Sequence, residues 1–160
     1  VKAGDIGFAH SNGFFGRCIR WGERIRWGES PSHWNHVFIV DRVEGDKVFV
    51  IQAEPRGVTN DKTIDTVGEY QLVSVDNIAN ADDVLTFARK EVGSRYGWLS
   101  IVSIAIDIVT PNWFPAFRRP YTYVCSALGA EALRAGGWIH RWADVYTVTP
   151  AQLKEALSVE

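Results

Sequence analysis

The segment Tyr123-Val124-Cys125-Ser126-Ala127-Leu128 ends an aromatic run that follows Pro120 and opens a helix-forming one. Residues 125–135 are rich in Ala and Leu, carry Glu131 and Arg134, and stop at Gly136-Gly137. Glycine just past a periodic stretch is the usual helix stop, so a helix is expected over 125–135 with a thiol at its start. Unpaired N–H groups and the positive end of the helix dipole favour a thiolate there, and the thiolate is the nucleophilic form. Free cysteine is also among the most buried residue types, so position alone leaves a core role open for Cys125.

A cysteine nucleophile needs a base, usually histidine, and a group that orients the base. The histidines are His10, His33, His36 and His140, and only His36 lies inside a strongly patterned strand, Asn35-His36-Val37-Phe38-Ile39-Val40. Two strands are expected, at 34–42 and 47–54, joined by Glu44-Gly45-Asp46 as a three-residue hairpin loop. Side chains alternate along a strand, so His36 shares a face with Trp34, Phe38 and Val40, and Val48, Val50, Gln52 and Glu54 share one on the next strand. With that loop, opposed residue numbers sum to about 90 and His36 faces Glu54, close enough for a carboxylate to orient the ring. A one-residue change in loop length breaks the pairing.

The remaining chain is expected to support one α+β domain over residues 1–160, long enough to bury a core. A first strand is read at 5–9 and a further one at 71–75, with a polar loop at 55–69. Phe14, Cys18, Trp21 and Ile25 recur at helical spacing, which places Cys18 on an apolar stripe. A helix at 82–92 carries Asp82 and Asp83 early and Arg89 and Lys90 late, as the dipole prefers. The segment 110–120 reads as a rigid proline loop. The last helix starts at Thr149 or Pro150 and runs to Leu157, with Thr149 as its cap.

Bulk properties narrow the function. The chain is 46% hydrophobic and 22% charged with a net charge of −2, so no charge excess points to nucleic acid. The two cysteines, Cys18 and Cys125, exclude a disulfide framework and a cysteine-rich zinc site but leave a single bridge between them open. His33 and His36 lack a second pair of metal ligands at suitable spacing, so no metal or cofactor is expected. Gly-x-Ser-x-Gly, Walker-type and dinucleotide motifs are absent. The apolar stretch 98–109 contains Asp107 and is shorter than the roughly 18 residues of a membrane span. No signal peptide is read at the start, although an initial Val is compatible with a trimmed one; the compartment stays open, cytoplasmic or released without such a signal, phage-borne included.

The order of these parts, Gly4-Asp5-Ile6-Gly7-Phe8, then Asn35-His36-Val37, then Glu54, then Tyr123-Val124-Cys125-Ser126-Ala127-Leu128, resembles the circularly permuted branch of the NlpC-type papain-like superfamily. YiiX-like and lecithin:retinol acyltransferase-like proteins belong to that branch, and the resemblance spans residues 4–137. It implies a papain-like α+β core with the nucleophile helix packed on an antiparallel sheet, Cys125 as nucleophile, His36 as base and Glu54 as third member. Gly93-Ser94-Arg95-Tyr96 looks like the Gly-x-x-Tyr element of NlpC-type enzymes. Tyr96 is accordingly a candidate oxyanion or substrate contact, with Tyr121 and Tyr123 as alternatives and Gln52 as a further candidate.

The activity implied is a cysteine hydrolase of the peptidase or amidase type, with cell-wall (peptidoglycan) peptide ranked first as substrate. A lipid acyl hydrolase or acyltransferase of the same fold is the alternative, and a binding or structural module without turnover is the rival from another class. Oligomeric state is not readable from the sequence.

Overall fold

The computed structural model describes residues 1–10, 33–76, 78–96, 122–139, 145 and 148–158. The expected helix around Phe14 to Ile25 with Cys18, the segments 98–109 and 110–120, Tyr121 and His140 lie outside the described residues.

Five strands form an antiparallel sheet: β1 (Ile6–His10), β2 (His36–Glu44), β3 (Lys47–Glu54), β4 (Gly57–Thr63) and β5 (Glu69–Val73), in spatial order β4-β3-β2-β1-β5. A short parallel pair, β6 (Arg95–Tyr96) and β7 (Thr122–Tyr123), sets Tyr96 opposite Tyr123. Three α-helices complete the described residues: α1 (Ala81–Lys90), α2 (Cys125–Ala135) and α3 (Pro150–Ser158). The class is α+β. None of the described helices is long and apolar enough to cross a membrane.

Alternation along the strands divides the core in two. Ile6, Phe8, Val37, Ile39 and Ile51 pack with Val84, Leu128, Leu133 and Leu153 of the helices, and Ala9, Phe38, Val40 and Val50 pack with Ile64 and Val67 on the other face. Helix α2 lies against β2 and β3 and also contacts α1 and α3. Gly129 permits this closeness: a β-carbon there would stand 2.9 Å from Val37 Cγ1 and 3.3 Å from Leu153 Cδ2.

The helix ends follow their local chemistry. At the close of α2, Trp138 N–H donates to Leu133 O and Gly137 N–H to Arg134 O, a Schellman motif that needs the positive φ of 92° at Gly137. Asn80 caps α1 through its side chain. Thr149 and Gln152 exchange side-chain and backbone hydrogen bonds at the start of α3, forming a capping box.

Two expectations are corrected. The segment 55–69 is not a plain loop, since it contains β4 and a 3-10 turn (Ile64–Thr66). Val58 is the one apolar residue of Gly57–Thr63, so its hydrophobic pattern is weak, and backbone pairing to β3 makes it an edge strand. The hairpin loop is two residues, Gly45 and Asp46, because Glu44 pairs with Lys47. That turn alone would put His36 on the face of Ile51 and Ala53. A bulge at Asp41 shifts the register by one residue, so that Val40 faces Val50 and Phe38 faces Gln52. Opposed numbers beyond the bulge again sum to 90, and His36 returns to the face of Gln52 and Glu54.

Candidate active site

Cys125 is the first residue of α2, and its cap residue Val124 is extended and gives no side-chain hydrogen bond to the first turn. The N–H groups there are open to the sulfur. Ser126 N–H, inside that turn, and Val37 N–H, from β2, both donate to Cys125. The second donor follows from the strand geometry. Val40 N–H donates to Asp5 O across β1, and N–H directions alternate along a strand, so Val37 N–H points away from β1. The β2–β3 register runs up to Phe38 and Gln52, one residue short of Val37. The sulfur takes the N–H that lies beyond it.

His36 opens β2 and is hydrogen-bonded to Cys125. Its Nε2 lies 2.8 Å from Gln52 Oε1. A side-chain carbonyl oxygen only accepts, so Nε2 carries a proton and donates, which leaves Nδ1 for the thiol. Gln52 is itself oriented, because its Nε2 donates to Glu54 Oε1 at 2.9 Å. The same Glu54 oxygen accepts from Lys62 Nζ at 2.6 Å.

Burial opposes both charges of the pair, pushing the Cys125 thiol up and the His36 ring down. The hydrogen bond and the attraction between the two outweigh it, and the net direction is down for Cys125 and up for His36. The two backbone donors lower Cys125 further, and Gln52 and the Glu54 charge raise His36. Each shift favours the charged form of its own group, the direction that activation of a thiol by a neighbouring imidazole requires.

Tyr96 is buried in the same core cluster as Cys125. Burial, and then the negative charge of Cys125, push its hydroxyl well above the ordinary tyrosine range, so it stays protonated. A protonated phenol can donate a hydrogen bond, and the charge of Cys125 is felt at this one.

The structure thus brings together Cys125, His36, Gln52 and Tyr96, with Glu54 one hydrogen bond farther from the ring than the sequence suggested. Gln52, diagonal to His36 across the strand pair, fills the orienting position expected of Glu54, whose Oε1 is instead engaged by Gln52 Nε2 and Lys62 Nζ. One sequence signal could have found it: an amide inside the apolar run Val48-Phe49-Val50-Ile51-Gln52-Ala53 must satisfy its polar atoms nearby. Lys62 had no such signal. The β7 backbone brings Tyr123 beside Tyr96. Cys125 is a free thiol, so the bridge to Cys18 is not formed. His33 instead meets Glu69 at 3.1 Å and stacks on His10.

No protein-family model and no curated protein matches the chain. Function therefore rests on the geometry.

Proposed function

We propose that this chain is a cysteine hydrolase of permuted papain-like architecture, cleaving an amide bond through an acyl-enzyme on Cys125. The observation that carries the reading is the hydrogen-bonded Cys125–His36 pair with its opposite shifts. The α+β class, with α2 against β2 and β3, is compatible with the papain-like arrangement that the sequence resemblance implies.

In this reading the Cys125 thiolate attacks the substrate carbonyl carbon, forming a C–S bond as the carbonyl electrons move onto oxygen. Tyr96 donates to that oxyanion. The intermediate collapses with cleavage of the C–N bond, and the His36 imidazolium gives its proton to the departing amine. Neutral His36 then takes a proton from water, which attacks the thioester and releases the acid and the thiolate. Gln52 accepts from Nε2 throughout and keeps the ring facing the sulfur.

Cell-wall peptide is the first substrate class, following the resemblance. Incubation with muropeptides, and separately with phospholipid or an acyl thioester, tests it by mass spectrometry of the products. Peptide amide cleavage by the wild type and none by Cys125→Ala is the expected result. Ester or thioester cleavage would move the enzyme to lipid acyl chemistry, and no turnover on any of the three would favour a binding module.

A further inference from the structure

We propose that Lys62 and Glu54 are positioning residues that lock the Gln52 side-chain amide with its oxygen toward His36. The proposal rests on the cysteine-hydrolase reading and adds to it a group, Lys62, from an edge strand that the reading does not use.

A glutamine side chain can present either end of its amide to a partner. Rotating its terminal amide by half a turn exchanges oxygen and nitrogen at little steric change. In one orientation Oε1 accepts from His36 Nε2; in the other an NH2 group faces that nitrogen. The second orientation opposes donor to donor when the ring is an imidazolium. When the ring is neutral it favours the proton on Nδ1, the nitrogen that must accept from the thiol. A flipped Gln52 therefore disfavours both states the base passes through.

Glu54 removes the ambiguity. Its carboxylate only accepts, and Oε1 stands 2.9 Å from Gln52 Nε2, so the NH2 end is held on the Glu54 side. Lys62 Nζ, 2.6 Å from the same oxygen, holds Glu54 in turn. The Glu54 side chain is 19% exposed and the Lys62 side chain 42%, so the chain of contacts runs from the buried ring to the surface.

The backbone is shaped for this contact. Between Val50 and Gln52 the β3–β4 register slips: Gln52 faces Thr59 but Val50 faces Lys62, so Asn60 and Asp61 together oppose Ile51. Directly opposed residues share a face. Without the extra β4 residue, Lys62 would oppose Phe49 and point to the other face. The bulge places its ammonium on the face of Gln52 and Glu54, one of the known uses of a bulge beside an active site.

The test combines two readouts on wild type, Lys62→Met, Lys62→Arg and Glu54→Gln. The first is the pH midpoint of Cys125 alkylation by iodoacetamide, followed by peptide mass. The second is the 15N signature of the neutral His36 ring in a Cys125→Ala background, where no thiolate biases the tautomer. Lys62→Met and Glu54→Gln should raise the midpoint by about half a pH unit or more and populate the Nδ1–H tautomer, while Lys62→Arg stays near wild type. A midpoint that moves with an unchanged tautomer would overturn positioning in favour of a through-space charge effect. Variants identical to wild type in both readouts would also overturn the proposal and leave the hydrolase reading standing. A wild-type midpoint at the ordinary thiol value of about 8.5 would instead overturn the hydrolase reading itself.

Discussion

Arg89 on α1 holds Asp41, the extra residue of the β2 bulge, through Nε to Oδ1 at 2.7 Å and Nη2 to the Asp41 carbonyl at 3.0 Å. Arg42 takes the other carboxylate oxygen at 2.7 Å. The Asp41 side chain is 3% exposed, so these partners satisfy carboxylate oxygens that water reaches little. The bulge it stabilises returns His36 to the face of Gln52, and the helix that supplies Arg89 thereby helps set the register of the site. Arg89→Ala should cost about 1.5–3 kcal/mol, the range for hydrogen bonds to a charged group, read from urea unfolding. Deleting Asp41 should do more, since a one-residue slip turns every side chain beyond it to the opposite face. A folded deletion variant with wild-type Cys125 reactivity would show that the bulge does not set the register.

Gly129 lies one helical turn beyond Cys125, where α2 packs tightly against Val37. Gly129→Ala gains about 1 kcal/mol of helix propensity but meets an overpacking cost of about 1–3 kcal/mol. Its unfolding midpoint should thus change little or fall. Cys125 alkylation should slow in either case, because the added methyl pushes the helix from the strand that carries His36. An unchanged alkylation rate would separate the close approach from the chemistry.

Ser126 Oγ donates to Val148 O at 2.6 Å in a buried contact that ties the first turn of α2 to the chain entering α3. Ser126→Ala leaves that carbonyl without this donor and should destabilise the fold by about 1–3 kcal/mol in urea unfolding. The backbone N–H at 126 remains, so the alkylation midpoint of Cys125 should not move. A shifted midpoint with full stability would reverse these roles.

Among the residues of the pair, Cys125→Ala and His36→Ala should abolish turnover with the fold retained, checked by product formation and circular dichroism. Gln52→Ala should lower kcat by about tenfold to a hundredfold, since it removes a charge-assisted hydrogen bond worth about 1.5–3 kcal/mol and each 1.4 kcal/mol is about tenfold. Turnover by Cys125→Ala at the wild-type rate would move the nucleophile elsewhere.

The sequence was most legible where local chemistry is decisive. Helix 125–135 has the bounds expected of it because Gly136-Gly137 builds a Schellman stop, and strand 47–54 because Val, Phe and Ile run between a tight turn and Pro55. Strand β4 was not legible, because a polar edge strand is held by backbone pairing and shows no periodic apolar pattern. The His36 face was read correctly from an incorrect loop: the register depends on the bulge at Asp41, which Arg89 supports from 48 residues away in the chain. For the same reason Gln52 at the ring, Val37 N–H at the sulfur and Lys62 behind Glu54 emerge only once the strands are in register.

The measurement that bears most directly on the central claim is the pH dependence of Cys125 alkylation in wild type and His36→Ala. In the wild type the thiolate is stabilised by His36 and two backbone donors against the cost of burial, so the rate should rise with pH through a midpoint below that of an ordinary thiol. Removing the ring leaves burial opposed only by the backbone N–H groups, and the midpoint should climb to about 8.5 or above. Coincident midpoints near 8.5 in both proteins would contradict the account, because Cys125 would then be an ordinary buried thiol and His36 no partner to it.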